Sequence, residues 1–336
     1  MVQPSEHVRA FSPRSSDWRH TSNQQRPTAI QEARTVAPVP TDISEVQTAM
    51  SGISAARPCV FTFDLGSFKV AALLDAVDIR DELASAFAAG QPPAAVLELA
   101  ASNFIDRDRY EHCFIPTLID TGSEKILFDT GCGDDGGSLP DCLQALGLGP
   151  EDIDVVVITH GHPDHIGGLV RNKQPVFSRA RYVFGATEFA FWTEGNAVRA
   201  ARLANRDLFR RICTGLADRA TFIAPGDEVV PGITAIDAAG HSPGLLAFLV
   251  ESGGQQLLIW SDAFLHYVVS IQRPEWHADF DDDKEKAVET RKRLLSMAAE
   301  RRLLVAGHHM PFPGLGHVGR TGGSFRWIPV SYQLNV

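Results

Sequence analysis

Four side chains able to bind a metal ion fall within six residues of the stretch Thr159-His160-Gly161-His162-Pro163-Asp164-His165-Ile166-Gly167-Gly168. Imidazole nitrogens and carboxylate oxygens are ligands that zinc accepts at about 2.0–2.2 Å. On an extended turn His160 and His162 project the same way, because alternate residues share a face. Asp164 and His165 then turn toward a second point. Glycines 161, 167 and 168 allow the backbone to bend tightly. A solvated polar loop is the plain alternative. Three histidines and an aspartate at this spacing, directly after a β-branched run, make it a poor one.

That run, Ile153–Ile158, reads as a buried strand that carries the histidine loop on its end. Earlier strands are expected at Cys59–Phe63 and Phe68–Leu74 around a turn at Asp64–Gly66. A hairpin is expected from Phe114–Asp120 and Lys125–Asp129. Residues 80–104 are Ala-rich and read as helix broken at Pro92–Pro93, and Leu139–Leu146 as a short helix. Downstream, a strand at Arg181–Phe184 precedes helices within 186–215. Ile233–Asp237, Leu246–Val250 and Gln256–Trp260 read as strands. Asp281 is the expected N-cap of a helix reaching Glu300, and Leu303–Ala306 is the last expected strand. Strand-rich halves that each end in helix suggest an α+β protein with two sheets and helices outside.

Residues 1–56 carry scattered prolines and weak apolar periodicity, and read as an extended or disordered N-terminal arm. Residues 57–336 form the expected catalytic domain. The arm holds no apolar segment of the kind a secretory signal needs, so a cytoplasmic location is expected. The five cysteines form no paired pattern, which fits a reducing compartment. A net charge of -10 repels phosphate backbones and argues against nucleic acid as a partner. No apolar run reaches the length of a membrane span, so no membrane partner is expected.

The His-x-His-x-Asp-His pattern resembles the metallo-β-lactamase superfamily, and the resemblance extends over most of residues 57–336. It implies an αβ/βα four-layer sandwich with two divalent ions, expected to be zinc, at one edge. Asp129, in Leu127-Phe128-Asp129-Thr130-Gly131, matches the aspartate that orients the ligand loop. His241, in Gly240-His241-Ser242-Pro243-Gly244, matches the third histidine of one site, and Asp262 the carboxylate that bridges both. The last ligand lies at His308-His309. In the similar subgroup it stands three residues before a Phe, here Phe312, which selects His309 with His308 as runner-up. The resemblance thus implies His160, His162 and His241 for one ion, Asp164, His165 and His309 for the other, and Asp262 between them. Leu65-Gly66-Ser67-Phe68, Phe191-Trp192, Phe312-Pro313-Gly314-Leu315-Gly316-His317 and Trp327-Ile328-Pro329-Val330 are similar to segments of methyl parathion hydrolase and its relatives. Those relatives imply a homodimer or other oligomer.

The chemistry implied is hydrolysis of an ester-like bond in a small, partly apolar molecule. Two such ions share a water, lower its pKa and present it as a bridging hydroxide. Asp164 and Asp262 are the candidates to pass a proton to the leaving group. Phe191 and Trp192 are candidates for an apolar pocket wall, although core packing on a helix explains them as well. Leu265, His266 and Tyr267 follow Asp262 closely and are further pocket candidates. Many lactonases of this superfamily carry Tyr where Leu265 stands. That departure favours a phosphotriester or aryl ester as substrate. Hydrolysis of an acyl-homoserine lactone or other lactone is the alternative. A non-catalytic, metal-stabilised subunit is the alternative of another class.

Overall fold

The structure is a computed structural model and describes residues 57–81, 83–105, 109–134 and 136–330. The arm expected over 1–56 lies outside the described residues. In chain order the strands are β1 (Val60–Leu65), β2 (Phe68–Leu73), β3 (Ala76–Arg80), β4 (Tyr110–Phe114), β5 (Thr117–Asp120), β6 (Lys125–Phe128), β7 (Val155–Ile158), β8 (Val170–Arg171), β9 (Gln174–Pro175), β10 (Arg181–Gly185) and β11 (Ala220–Ile223). They continue as β12 (Glu228–Val230), β13 (Ile233–Asp237), β14 (Leu246–Ser252), β15 (Gln255–Ile259), β16 (Leu304–Ala306), β17 (Leu315–Thr321) and β18 (Ser324–Pro329). The helices are α1 (Leu83–Phe87), α2 (Pro93–Ser102), α3 (Leu139–Ala145), α4 (Pro163–Ile166), α5 (Ala186–Glu194), α6 (Leu203–Cys213), α7 (Val269–Gln272) and α8 (Lys284–Glu300).

Two seven-stranded sheets face each other, in the orders β1-β2-β5-β6-β7-β10-β11 and β12-β13-β14-β15-β16-β17-β18. Alternation along each strand sends one set of side chains inward. Ile126, Phe128, Val155 and Val157 meet Phe248, Val250, Leu257 and Ile259 in a single apolar layer. Phe128 and Phe248 pack across it with ring centres 5.0 Å apart. Each such buried side chain stabilises the fold by about 1.5–3 kcal/mol. The outer face of the first sheet is covered by α3, α5 and α6 through Leu143, Trp192 and Phe209. The outer face of the second is covered by α8 through Leu294, Leu295 and Ala298. Helix, sheet, sheet and helix give the four-layer sandwich.

The expected strand run Phe114–Asp120 divides. Phe114 ends β4, which pairs antiparallel with β3 as a separate two-stranded ribbon, while Thr117–Asp120 pairs with β2 and β6. Pro116, which has no N–H to give a ladder, stands at the break. The helix from Lys284 is capped by Asp283, whose carboxylate accepts from the N–H of Lys286 at 2.9 Å, and not by Asp281. Asp281 is buried and differently engaged, as described below. Leu304–Ala306 is not the last strand, because β17 and β18 complete the second sheet.

Candidate metal centre

The strands β6 and β7 run parallel and end side by side, and their loops build one half of the centre. Asp129 leaves β6 with φ +63° and turns its carboxylate under the next loop. It accepts from Thr159 N at 2.8 Å, from Thr159 Oγ1 at 2.9 Å and from His165 Nδ1 at 2.8 Å. His162 caps α4 in extended backbone with Pro163 at the first helical position, where the missing N–H costs nothing. Glycines 161, 167 and 168 do not adopt the left-handed conformation. Space, not torsional freedom, explains Gly161: a Cβ there would lie 2.5 Å from the Trp192 ring.

The second sheet supplies the other half from the ends of its strands. His241 precedes β14, Asp262 sits in a short 3-10 turn after β15, and His308 and His309 follow β16. All seven side chains named from the sequence converge. His160, His162, His241 and Asp262 form one group, and Asp164, His165, His308 and His309 another, with donor atoms within 4.8 Å of one another in each. Asp262 lies between the groups. Its carboxylate oxygens are 3.4 Å from His241 Nε2, 3.3 Å from His165 Nε2 and 2.9 Å from His309 Nε2.

The donor set fits a pair of divalent cations. Behind three of the rings stands an oxygen acceptor: Asp281 3.2 Å from His241 Nδ1, Asp129 beside His165 Nδ1, and the Cys113 carbonyl 2.9 Å from His309 Nδ1. Each acceptor receives a hydrogen bond from Nδ1 and so turns Nε2 inward; burial opposes their charge, yet the carboxylates beside them hold His165 and His309 above the usual imidazole range. His162 Nδ1 lies 2.9 Å from both His160 Nε2 and His241 Nε2, and His165 Nε2 and Asp262 Oδ1 have no hydrogen-bond partner. Burial holds His160 and His162 well below the usual imidazole range, so neither carries a charge that would repel a cation. Burial opposes ionisation of Asp164 and Asp262, yet the neighbouring histidines keep both carboxyls well below the usual range. Converging lone pairs and anions around a buried point repel one another unless a cation sits there. His309 faces Asp262 directly, whereas His308 Nε2 is 3.9 Å from Asp164 and otherwise unpartnered.

A cavity of about 610 Å³ opens over this centre, with His162, Asp164, His241, Asp262 and His309 in its floor. A larger hollow of about 710 Å³, lined by Phe61, Lys69, Leu118 and Leu304 among others, holds none of these side chains. Of the pocket residues expected from sequence, only Leu265 lines the cavity over the centre. Trp192 is fully buried and donates from Nε1 to Glu188 at 2.6 Å, while Phe191 packs edge-on against it. His266 is buried; its Nδ1 accepts from the N–H groups of Val268 and Val269 at the start of α7, and burial lowers it to about 3. Tyr267 packs among the helices. The walls come instead from residues the sequence reading passed over: Val77 and Arg80 on β3, His112 and Phe114 on β4, Arg202 and Asn205 near the start of α6, and Phe280. Alternation along β4 puts His112 and Phe114 on one face, a signal available once that strand is recognised.

Cys132 also reaches the cavity, but burial raises its thiol well above the usual range and Asp75 and Asp164 add to the effect, so it is no thiolate nucleophile. His317 Nδ1 donates to the Leu303 carbonyl and Arg320 pairs with Glu300, both away from the centre.

Comparison with known proteins agrees with this architecture. The chain is 27% identical over 238 residues to a probable metallo-hydrolase, YflN, of Bacillus subtilis (strain 168), covering 65% of this chain and 83% of that one. It is 27% identical over 212 residues to an N-acyl homoserine lactonase of Bacillus cereus, covering 58% and 76%. Among solved structures, AidC, a dizinc quorum-quenching lactonase with a bound product, superposes with a TM-score of 0.77 at 26% identity, covering 82% of this chain and 98% of that one. The hydrolase AbOPH gives the same TM-score and identity over 83% and 99%. The family model of the metallo-beta-lactamase superfamily matches residues 116–308, more than half the chain, from the start of β5 to His308 just after β16, and the chain therefore belongs to that superfamily.

Proposed function

We propose that this protein is a dinuclear metal-dependent hydrolase that opens the ring of lactones with an apolar acyl group, N-acyl homoserine lactones among them, and that its ions are zinc. The observation that carries the reading is the pair of ligand groups joined at Asp262 in the floor of a cavity with one apolar wall. The similarity to lactonases, one of them dizinc, supports it. His160, His162 and His241 would hold one ion, and Asp164, His165 and His309 the other, with Asp262 shared. Bound there, the ions would supply an acidified water and a Lewis acid for the carbonyl oxygen.

The remaining work falls to the chain. Val77, Phe114, Leu265 and Phe280 offer the apolar wall that excludes water and receives an acyl group. His112 lines the cavity with its ring 4.0 Å from that of His309, so the ring can help orient a substrate oxygen. Water adds to the carbonyl carbon, the ring C–O bond breaks, and the alkoxide must gain a proton. Asp164, with its side chain 21% exposed toward the cavity, is positioned to take that proton from the water and return it to the leaving oxygen. Replacing His112 with Ala is expected to lower kcat/KM by about 10- to 100-fold, the usual cost of one buried polar contact, without loss of bound metal. Wild-type kinetics in that variant would exclude a role for the ring in binding.

A second reading, hydrolysis of phosphotriesters or aryl esters, is favoured by one observation. Leu265 offers no hydroxyl to the cavity, and Tyr267 does not line it. Parallel assays decide between them, using hexanoyl-homoserine lactone, p-nitrophenyl acetate and a p-nitrophenyl phosphotriester. The lactone is expected to lead in kcat/KM by about 100-fold, or roughly 2.7 kcal/mol of discrimination. A leading triester would reverse the order, and no turnover with two ions bound would favour a non-catalytic subunit. A chelator is expected to abolish activity and zinc to restore it.

A further inference from the structure

Glu188, in the first turn of α5, is an acidic residue with 1% of its surface exposed, and no basic side chain among the described residues pairs with it. Its two oxygens are fully engaged. Oε1 accepts from Gly161 N at 2.8 Å and from Trp192 Nε1 at 2.6 Å. Oε2 accepts from Gly244 N at 2.8 Å, and Ser242 Oγ reaches both oxygens, at 2.6 and 2.7 Å. The two backbone groups and the indole can only donate, and because anionic oxygens are the stronger acceptors these bonds partly offset the burial that raises the carboxyl above its usual range. The placement matters more than the count. Gly161 stands between His160 and His162, and Ser242 and Gly244 directly follow His241. One side chain therefore receives donors from both loops that carry the three histidines of the first group.

The local packing is cut to this contact. A Cβ at Gly244 would lie 2.2 Å from the Glu188 backbone nitrogen, and one at Gly161 would strike the Trp192 ring. Either would lift a loop off α5. The same indole that donates to Glu188 packs edge-on against the His162 ring, with centres 5.7 Å apart.

We propose that Glu188 is the positioning residue of the first metal site: its buried carboxylate sets the spacing between the 160–162 and 241–244 loops at which His160, His162 and His241 can share one ion. The inference rests on the reading that these histidines bind metal, and the experiment separates the two. Full-length protein would be loaded with zinc, and separately with cobalt(II), then titrated with a competing chelator. Glu188→Gln keeps the side-chain shape but loses an anionic acceptor. It is expected to weaken the first site by about 10- to 100-fold and alter the cobalt ligand-field spectrum, while the second site holds its ion as in wild type. Glu188→Asp is expected to recover part of the loss. Unchanged affinities and spectrum in Glu188→Gln would overturn the proposal. So would equal weakening of both sites together with a lower melting temperature, because that is the mark of a general structural role. Should Glu188→Gln fail to fold, Ser242→Ala decides: a selective loss at the first site supports the inference and wild-type binding overturns it. A wild-type protein that bound no metal would instead sink the reading of the centre itself.

Discussion

Replacing Asp262 with Asn is expected to lower kcat/KM by about 10³-fold or more and to release at least one of two bound ions, since the shared charge supplies several kcal/mol of stabilisation. The ring nitrogens of His160, His165, His241 and His309 all lie within 3.8 Å of its carboxylate. No other acidic side chain among the described residues reaches both ligand groups so closely. Asparagine preserves the volume but removes the anion, so the buried lone pairs of both groups would face each other with less charge to attract cations. Elemental analysis and initial rates on the purified variant check this. Two ions and more than roughly a tenth of wild-type turnover would contradict the shared-carboxylate assignment.

The second large effect concerns stability. Asp281 to Ala is expected to destabilise the metal-free fold by about 3–5 kcal/mol, the usual cost of stranding a buried charge. Arg291 is 2% exposed and donates from Nη1 to Asp281 at 2.8 Å. Its remaining contacts are the carbonyls of Pro274 and Trp276, which carry no charge to offset it. The same aspartate sits behind His241, so the loss would also free the tautomer of that ring. Urea unfolding of the metal-free protein isolates the first effect from metal loss. A change below about 1 kcal/mol would mean that the carbonyls alone satisfy Arg291.

These two aspartates show what could be read from the chain and what could not. Asp262 follows an apolar strand and matches a family landmark, and the histidines beside it are types that rarely cluster by accident. Asp281 looks like a helix cap because it precedes a helix and a cap is the usual employment of such a residue. Asp283, two residues on, takes that role instead, and Asp281 is turned inward by partners from distant parts of the sequence. Glu188 was illegible for the same reason. An acidic residue in the first turn of a helix reads as solvated, and nothing nearby in sequence announces the two loops that close over it. The cavity walls were missed because β3 and β4 are short, pair only with each other and carry mixed polar and apolar residues. Phe191 and Trp192, expected at the pocket wall by likeness to the family, instead fill the layer on the outer face of the first sheet. Local pattern thus located the side chains that converge at the candidate centre, while groups defined by long-range packing required the fold.

The β3–β4 ribbon forms a sheet separate from the two large ones and brings Val77, Arg80, His112 and Phe114 to the cavity, and its hydrogen bond to His309, a proposed ion ligand, runs through the main-chain oxygen of Cys113. A peptide oxygen is the same whatever side chain grows from that residue. Away from His112 and Phe114, whose rings pack on His309, selection can therefore rewrite the ribbon's side chains, and with them the range of molecules admitted, while that backbone bond is inherited intact.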